Sequence, residues 1–189
     1  MERMIIGLTG MNAAGKSTAA AYLKSKGYIS LSLSDVIRDE LLKQGLDETR
    51  QNLVMMGNML RESHGASALA DLMANKIDSL KGDAFVIDSI RNPAEVERLR
   101  RMPGFVLIGI DAPVQMRFER AMARGRLENA KTLEEFQAQE KREMSSYPQS
   151  QQLHMCMKMI DLLIINDGTI DSLHQKIDII LENFARLIK

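Results

Sequence analysis

Met4-Ile5-Ile6-Gly7-Leu8-Thr9-Gly10-Met11-Asn12-Ala13-Ala14-Gly15-Lys16-Ser17-Thr18 runs from an apolar stretch of strand length into two glycines and a lysine, and from there into the helix-forming Ala19-Ala20-Ala21-Tyr22-Leu23. Gly10 to Ser17 satisfies G-x-x-x-x-G-K-[ST] at every fixed position, with strand before and helix after, the setting that gives the pattern its meaning. Four fixed positions would be met by accident in on the order of one chain in a hundred of this length, and the flanking elements make accident rarer. The residue types suit phosphate chemistry. Gly10 and Gly15 let backbone amides close around phosphate oxygens, and the helix N-terminus adds partial positive charge. Lys16 brings a point charge to the β- and γ-phosphates, and the Ser17 hydroxyl suits Mg²⁺. The stretch therefore predicts ATP with Mg²⁺, bound by Gly10, Asn12, Ala13, Ala14, Gly15, Lys16, Ser17 and Thr18. The competing reading is a glycine turn without a ligand. Gly27 suits a helix C-cap.

Outward from this loop, Phe85 to Ile87, Phe105 to Ile110 and Leu162 to Ile165 are apolar without alternation, as parallel strands covered on both faces are. Met4 to Thr9 and Tyr28 to Leu33 complete five strands. Ala66, Leu69, Ala70, Met73, Ile77 and Leu80 share one helix face, as do Ile170, Leu173, Ile177, Leu181, Phe184 and Ile188. Strands alternating with helices predict an α/β fold, a doubly wound five-stranded parallel sheet with ligands at the C-terminal strand ends. One domain spans 1–189, with an acceptor-binding helical region at 34–82. The polar stretch 125–152 reads as a helical lid.

The chain has 189 residues, with 25 basic and 25 acidic side chains, so it lacks the positive bias of a nucleic-acid or membrane-surface binder. A small ligand in a local basic pocket fits better. The single cysteine, Cys156, allows neither an internal disulfide nor a thiolate zinc site and suits a reducing compartment. No run approaches the roughly 18 apolar residues of a membrane span. The expectation is a cytoplasmic monomer or homodimer acting on a small molecule. Met155, Met157 and Met159 alternate in a way open to a soft-metal site or to adaptable packing. His64, His154 and His174 lack ligand spacing.

Beyond the phosphate loop, Ser34-Asp35-Val36-Ile37-Arg38 resembles the G-D-x-[LI]-R segment of adenylate kinases, with serine in place of the usual glycine. The resemblance implies that Arg38 grips an acceptor phosphate, a task for which the guanidinium's two parallel donors are suited. Phe85-Val86-Ile87-Asp88-Ser89-Ile90-Arg91 resembles the strand of those kinases that ends in D-G-x-P-R, one residue shorter between aspartate and arginine. It implies Asp88 near Mg²⁺ and Arg91 near the transferring phosphates. Arg117, Arg120 and Arg124 fall on one helix face and Arg126 follows. By resemblance to adenylate-kinase lids, Arg124 and Arg126 are the lid arginines, joined by Arg120 and Arg142, which would stabilise charge on the transferring group. Asn166-Asp167-Gly168-Thr169 is similar to the adenine-side loop of dephospho-coenzyme A kinases, which assigns Asp167 and Gly168 to the nucleotide. Without these resemblances, Arg38 is an exposed first-turn charge and Asp88 ends a common kind of apolar run. The arginine stripe is then a solvated face, and Asp167-Gly168-Thr169 a turn and N-cap.

Taken over nearly the whole chain, the elements are most similar to a mainly archaeal family of nucleotide-kinase-like P-loop proteins. That resemblance implies phosphoryl transfer from ATP to a small phosphorylated acceptor, with a nucleoside or deoxynucleoside monophosphate favoured. Dephospho-coenzyme A kinase is the alternative within the enzymes, with Asp35 as the only nearby base for a hydroxyl acceptor. A regulatory or ATPase module without an acceptor is the alternative outside them.

Overall fold

The computed structural model describes residues 3–125, 131–143 and 151–187. Five strands, β1 (Met4–Thr9), β2 (Ile29–Ser32), β3 (Ala84–Asp88), β4 (Phe105–Asp111) and β5 (Leu162–Ile165), form one sheet in the order β2-β3-β1-β4-β5. Every pairing is parallel. In β3 and β4 the apolar runs have the expected cause, because alternate side chains enter two different cores. Ile5, Phe85, Ile87 and Leu107 face one. Ile6, Leu8, Val86, Ile108, Ile110 and Ile164 face the other. In β5, at the sheet edge, only Ile164 is buried and Leu162, Leu163 and Ile165 are exposed, contrary to expectation.

The second core is closed by α1 (Lys16–Ser25) through Ala19, Ala20 and Leu23, and by α9 (Ile170–Leu187) through Leu173 and Ile177. The first is closed by α2 (Leu33–Lys43), α3 (Arg50–His64), α4 (Ala68–Ser79), α5 (Pro93–Leu99) and α8 (Leu153–Lys158), the last supplying Cys156. Burial pushes the Cys156 thiol up to about 12, so it remains a thiol. Met157 approaches Gly109 and Met159 packs on the same core, in line with adaptable packing. Among the described residues no helix is long and apolar enough to cross a membrane.

Two further sequence expectations are corrected. The second strand stops at Ser32 rather than Leu33, because a capping box claims the chain: the Ser32 hydroxyl accepts from Ser34 N at 3.2 Å, and the Asp35 carboxylate accepts from Ser32 N at 3.1 Å. Leu33 is therefore the first residue of α2. Ile170 is 62% exposed rather than on the buried face. Helical side chains lean toward the N-terminus, so a first-turn residue covers the space before the helix and not the sheet beside it. Gly27 terminates α1 as expected, at φ 96°, with Tyr28 N donating to Leu23 O and Gly27 N to Lys24 O.

The chain leaves β1 toward the β2 edge and leaves β4, through α6 (Val114–Ala123) and α7 (Leu133–Glu143), toward the β5 edge. That divergence creates a crevice at the C-terminal ends of β1 and β4. Of the stretch expected to form a lid, α7 is described. It lies on α6, with Phe136 buried against Ala121 and Phe118, and Ala13 of the phosphate loop packs against this cluster. The rings of Phe118 and Phe136 are 5.8 Å apart.

The turn into β4 depends on Gly104, at φ 75°, where a Cβ would sit 1.8 Å from the Arg3 carbonyl oxygen. Gly104 O also accepts from Ile5 N at 2.9 Å, so the segment has no room to withdraw. Gly104→Ala should destabilise the protein by about 2 kcal/mol or more. Chemical unfolding checks this, and a midpoint equal to wild type would show that the β1–β4 edge yields more easily than its geometry indicates.

Candidate active site

The phosphate loop is shaped by contacts that leave no space for side chains. Gly10 has φ 145°, and a Cβ there would lie 1.9 Å from the Ile110 carbonyl oxygen of β4. At Gly15, φ 110°, a Cβ would meet Asn166 Nδ2 at 2.3 Å. Asn166 is buried, and its amide donates to Ala14 O at 2.8 Å, bracing the loop from the turn after β5. Ala13 also takes a positive φ, 56°. Gly15 occupies the N-cap of α1 and provides no side-chain cap, and the first turn has no acidic residue. The orphan amides of that turn are thus left for an anion.

Lys16 Nζ donates to Gly10 O at 2.8 Å and Met11 O at 2.9 Å. Burial lowers its pKa from 10.5 to about 8, an effect opposed by Asp88 and Asp111 and reinforced by Arg91 and Arg117. Four charges from separate elements therefore converge on the loop lysine. Asp88 ends β3 and its Oδ1 accepts from Ser89 N at 2.6 Å. Ser89 is held at φ 67°, and its hydroxyl meets that of Ser32 at 3.1 Å. Thr9 Oγ1 donates to Ile90 O at 2.9 Å, tying the end of β1 to the same loop. Asp111 ends β4 and accepts from Ala112 N at 2.8 Å. Arg117, 6% exposed, donates from Nε to Ala112 O at 3.0 Å, lies 3.6 Å from Asp111 and pairs with Glu140 of α7. Mg²⁺ fits this donor set, because it keeps most of its shell as water and phosphate oxygen and asks the protein for one or two oxygens. Asp88 and the exposed Ser17 hydroxyl are the oxygens that would be available to it.

On α2, Arg38 donates from Nε to Glu48 at 2.6 Å and from Nη1 to Asp35 at 2.8 Å. Glu48, then Asp35, hold the guanidinium above its ordinary pKa. Asp35 is occupied on both oxygens, one by Arg38 and one by Ser32 N. Arg91 donates from Nη1 to Gln151 at 3.2 Å, and its carbonyl accepts from Gln152 N at 2.8 Å.

The predicted phosphate-loop residues, Lys16, Asp88 and Arg91 thus come together. Arg120 donates from Nη1 to Asn166 O at 3.1 Å. Arg124 is exposed at the end of α6. Arg126 and the side chain of Arg142 lie outside the described residues. Asp167 pairs with Lys176 at 2.9 Å, which lowers its pKa, and Gly168 packs near Ser172. Sequence reasoning missed Asn166, Asp111 and Arg117 as parts of the site. Asn166 opens the N-D-G-T motif. Arg117 falls six residues after a strand-ending aspartate, a signal that was present but indistinguishable from a solvated stripe.

The lowered pKa of Lys16 has a testable sign. A polyphosphate stabilises the charged ammonium and returns its pKa upward, so nucleotide binding should take up protons near pH 8 and not at pH 6.5. ATP affinity should fall as pH rises above 8, approaching tenfold per unit. Titration calorimetry in buffers of different ionisation enthalpy measures the uptake, and Lys16→Met should abolish it. Zero uptake at pH 8 in the wild-type chain would mean that Lys16 is not the phosphate's cation.

A family model described as an AAA domain matches residues 6–144. A UPF0200/UPF0201 protein of Archaeoglobus fulgidus is 34% identical over 193 residues, taking in 100% of this chain and 58% of the relative, so the chain spans a little over half of that protein. A UPF0200 protein of Thermococcus gammatolerans is 31% identical over 188 residues, covering 97% of this chain and 96% of the relative. A shikimate kinase from Acinetobacter baumannii, solved in complex with shikimate, shares the fold with a TM-score of 0.58 at 18% identity, over 96% of this chain and 94% of that one. With sequence similarity running through nearly its whole length, the chain belongs to the UPF0200 proteins and is built on an AAA domain of P-loop, kinase-like fold.

Proposed function

We propose that this protein transfers the γ-phosphoryl group of ATP to a small acceptor that already carries a phosphate, with a nucleoside or deoxynucleoside monophosphate favoured. The observation that carries the reading is the state of Asp35. Both of its oxygens are engaged, in the α2 cap and with Arg38, so the one carboxylate the sequence offered as a base is committed to other partners. A hydroxyl acceptor needs its proton removed. A phosphate acceptor is already anionic and needs only positioning and charge stabilisation.

In this mechanism the first-turn amides of α1 and Lys16 hold the β- and γ-phosphates. Ser17 and Asp88 would hold Mg²⁺, which would supply charge neutralisation at the phosphates. Arg38 exchanges its carboxylate partners for the acceptor phosphate, and Arg91 aligns it toward the γ-phosphorus. An acceptor oxygen then bonds to that phosphorus as the bond to the bridging β–γ oxygen breaks, leaving ADP and the phosphorylated acceptor. Arg117 stands beside Lys16 to stabilise charge on the equatorial oxygens once Glu140 releases it. Closure of α7 over the loop, whose Ala13 packs against the Ala121–Phe136 cluster, keeps water from competing.

ADP release across a panel of nucleoside monophosphates and dephospho-coenzyme A identifies the acceptor. Arg38→Lys keeps the charge but loses the fork, and should lower kcat/KM for a monophosphate by roughly tenfold to a hundredfold while ATP affinity stays within about twofold. An unchanged acceptor kcat/KM in that variant defeats the monophosphate reading. Stimulation by dephospho-coenzyme A alone, lost in Asp35→Asn, would establish hydroxyl transfer instead. Turnover indifferent to every acceptor and to both substitutions would leave an ATPase or sensing module.

A further inference from the structure

Glu95 is the most deeply buried carboxylate among the described residues, 0% exposed, and no part of the mechanism above uses it directly. Its two oxygens are divided between distant parts of the chain. Oε1 accepts from Arg61 Nε at 3.0 Å and Nη2 at 2.7 Å, and Arg61 itself is 3% exposed on α3. Oε2 accepts from the backbone amides of Arg91 and Asn92, each at 3.0 Å. The bond to Asn92 N completes a capping box at the start of α5, in which the Asn92 side chain accepts from Ala94 N. A capping box works in water and needs neither burial nor an arginine from another helix. A buried ion pair contributes less to stability than apolar residues of the same volume often would. Helix capping and stability therefore leave both the burial and Arg61 unexplained.

The bonds converge on one segment. Arg91 carries a guanidinium whose charge is felt at Lys16, and its backbone is gripped from three directions: by Glu95, by Gln152, and through Thr9 on the adjoining Ile90 carbonyl. Arg61 lies on α3, within the helical region flanking the acceptor side. We propose that Glu95 is the positioning residue of this site. Held by Arg61, it fixes the Arg91–Asn92 backbone so that Arg91 meets the transferring phosphates, and it makes α3 and the Arg91 loop move as one body. The assignment rests on the phosphotransferase reading for its catalytic consequence, but not for its structural one.

Geometry also indicates which variant breaks it. Glu95→Gln preserves volume but turns one oxygen into an NH₂ group, which must face either the Arg61 fork or the two backbone amides, donor against donor. Hydrogen exchange at the Arg91 and Asn92 amides, which needs no acceptor, should accelerate by roughly an order of magnitude or more in that variant. Turnover of ATP, with the best acceptor or with water, should fall roughly tenfold to a hundredfold, with nucleotide affinity within about twofold. Because Glu95 acts through Arg91, Arg91→Ala/Glu95→Gln should lose no more than Arg91→Ala alone. To separate positioning from folding, Arg61→Met/Glu95→Leu replaces the pair with apolar groups. It should recover part of the thermal stability lost in Glu95→Gln, the two backbone amides still lacking their acceptor, while turnover stays low.

Unaltered exchange at both amides, additive losses in the cycle, or turnover that returns with stability in the apolar variant would each overturn the proposal. If the wild-type chain hydrolyses ATP but uses no acceptor, the monophosphate reading fails and the cycle is read on hydrolysis. If it turns over no ATP at all, the amide exchange decides alone.

Discussion

Lys16 places an ammonium group at the C-terminal ends of β1, β3 and β4, where burial alone favours its neutral form. Keeping a cation there requires acceptors and opposite charge at short range, and the surrounding structure can be read as their supply. The carbonyls of Gly10 and Met11 turn inward to the ammonium. They can do so only because Gly10 lies against the β4 backbone with no side chain between, and because Asn166 fills the space that a Cβ on Gly15 would take. Asp88 and Asp111, at the ends of the strands on either side of β1, add the negative charge. A parallel sheet is what brings three strand ends, and hence two carboxylates and a glycine turn, to the same edge.

The two halves of the site are built by different means. The phosphate side is made of backbone, with α1 amides and loop carbonyls set by positive-φ residues, so its geometry is stiff before any ligand arrives. The side proposed to take the acceptor is made of arginines resting on carboxylates. Their exposure decides which of these pairs can exchange partners. Arg38 with Glu48 and Asp35 is partly solvated, a kind of pair worth about 0–1 kcal/mol, so a phosphate can displace the carboxylates at small cost. Arg61 with Glu95 is sealed in the interior, where removing one partner costs about 3–5 kcal/mol. The first pair can open, as the proposed acceptor role of Arg38 requires, and the second cannot do so cheaply. Arg117 stands between these cases, buried yet paired with Glu140 on α7, an element whose Phe136 shares a cluster with Ala121 of α6.

Much of this was legible in the residues. The runs at β3 and β4 announced strands covered on both faces because a strand feeding two cores has no polar face to show, and Val86 and Ile87 enter opposite cores in the structure. The run at β5 announced the same and lies at the sheet edge, where only Ile164 is buried. The phosphate loop was legible because its requirements are local: glycine where a Cβ would collide, and lysine at the first helical position. Boundaries were less so. Leu33 continues the apolar character of β2, but the Ser32–Asp35 cap, a preference of three residues, overrides it. Ile170 fits the period of α9, yet a helical period says which residues share a face and not where the sheet begins to cover it.

The sequence by itself determined the parallel α/β architecture, the loop that takes phosphates and the aspartate that ends β3, since each depends on residues a few positions apart and on the physics of burial and turn geometry. Tertiary structure alone decided which charges meet. Asn166 reaches the carbonyl of Ala14 across 152 positions, and Arg61 reaches Glu95 across 34. Whether an arginine is a solvated face or a buried partner depends on the element packed over it. Arg117 and Arg124 lie seven positions apart on one helix, and only Arg117 is covered by α7. Charge interactions are strong only at short range and low exposure, and a chain reveals those two quantities only once it has folded.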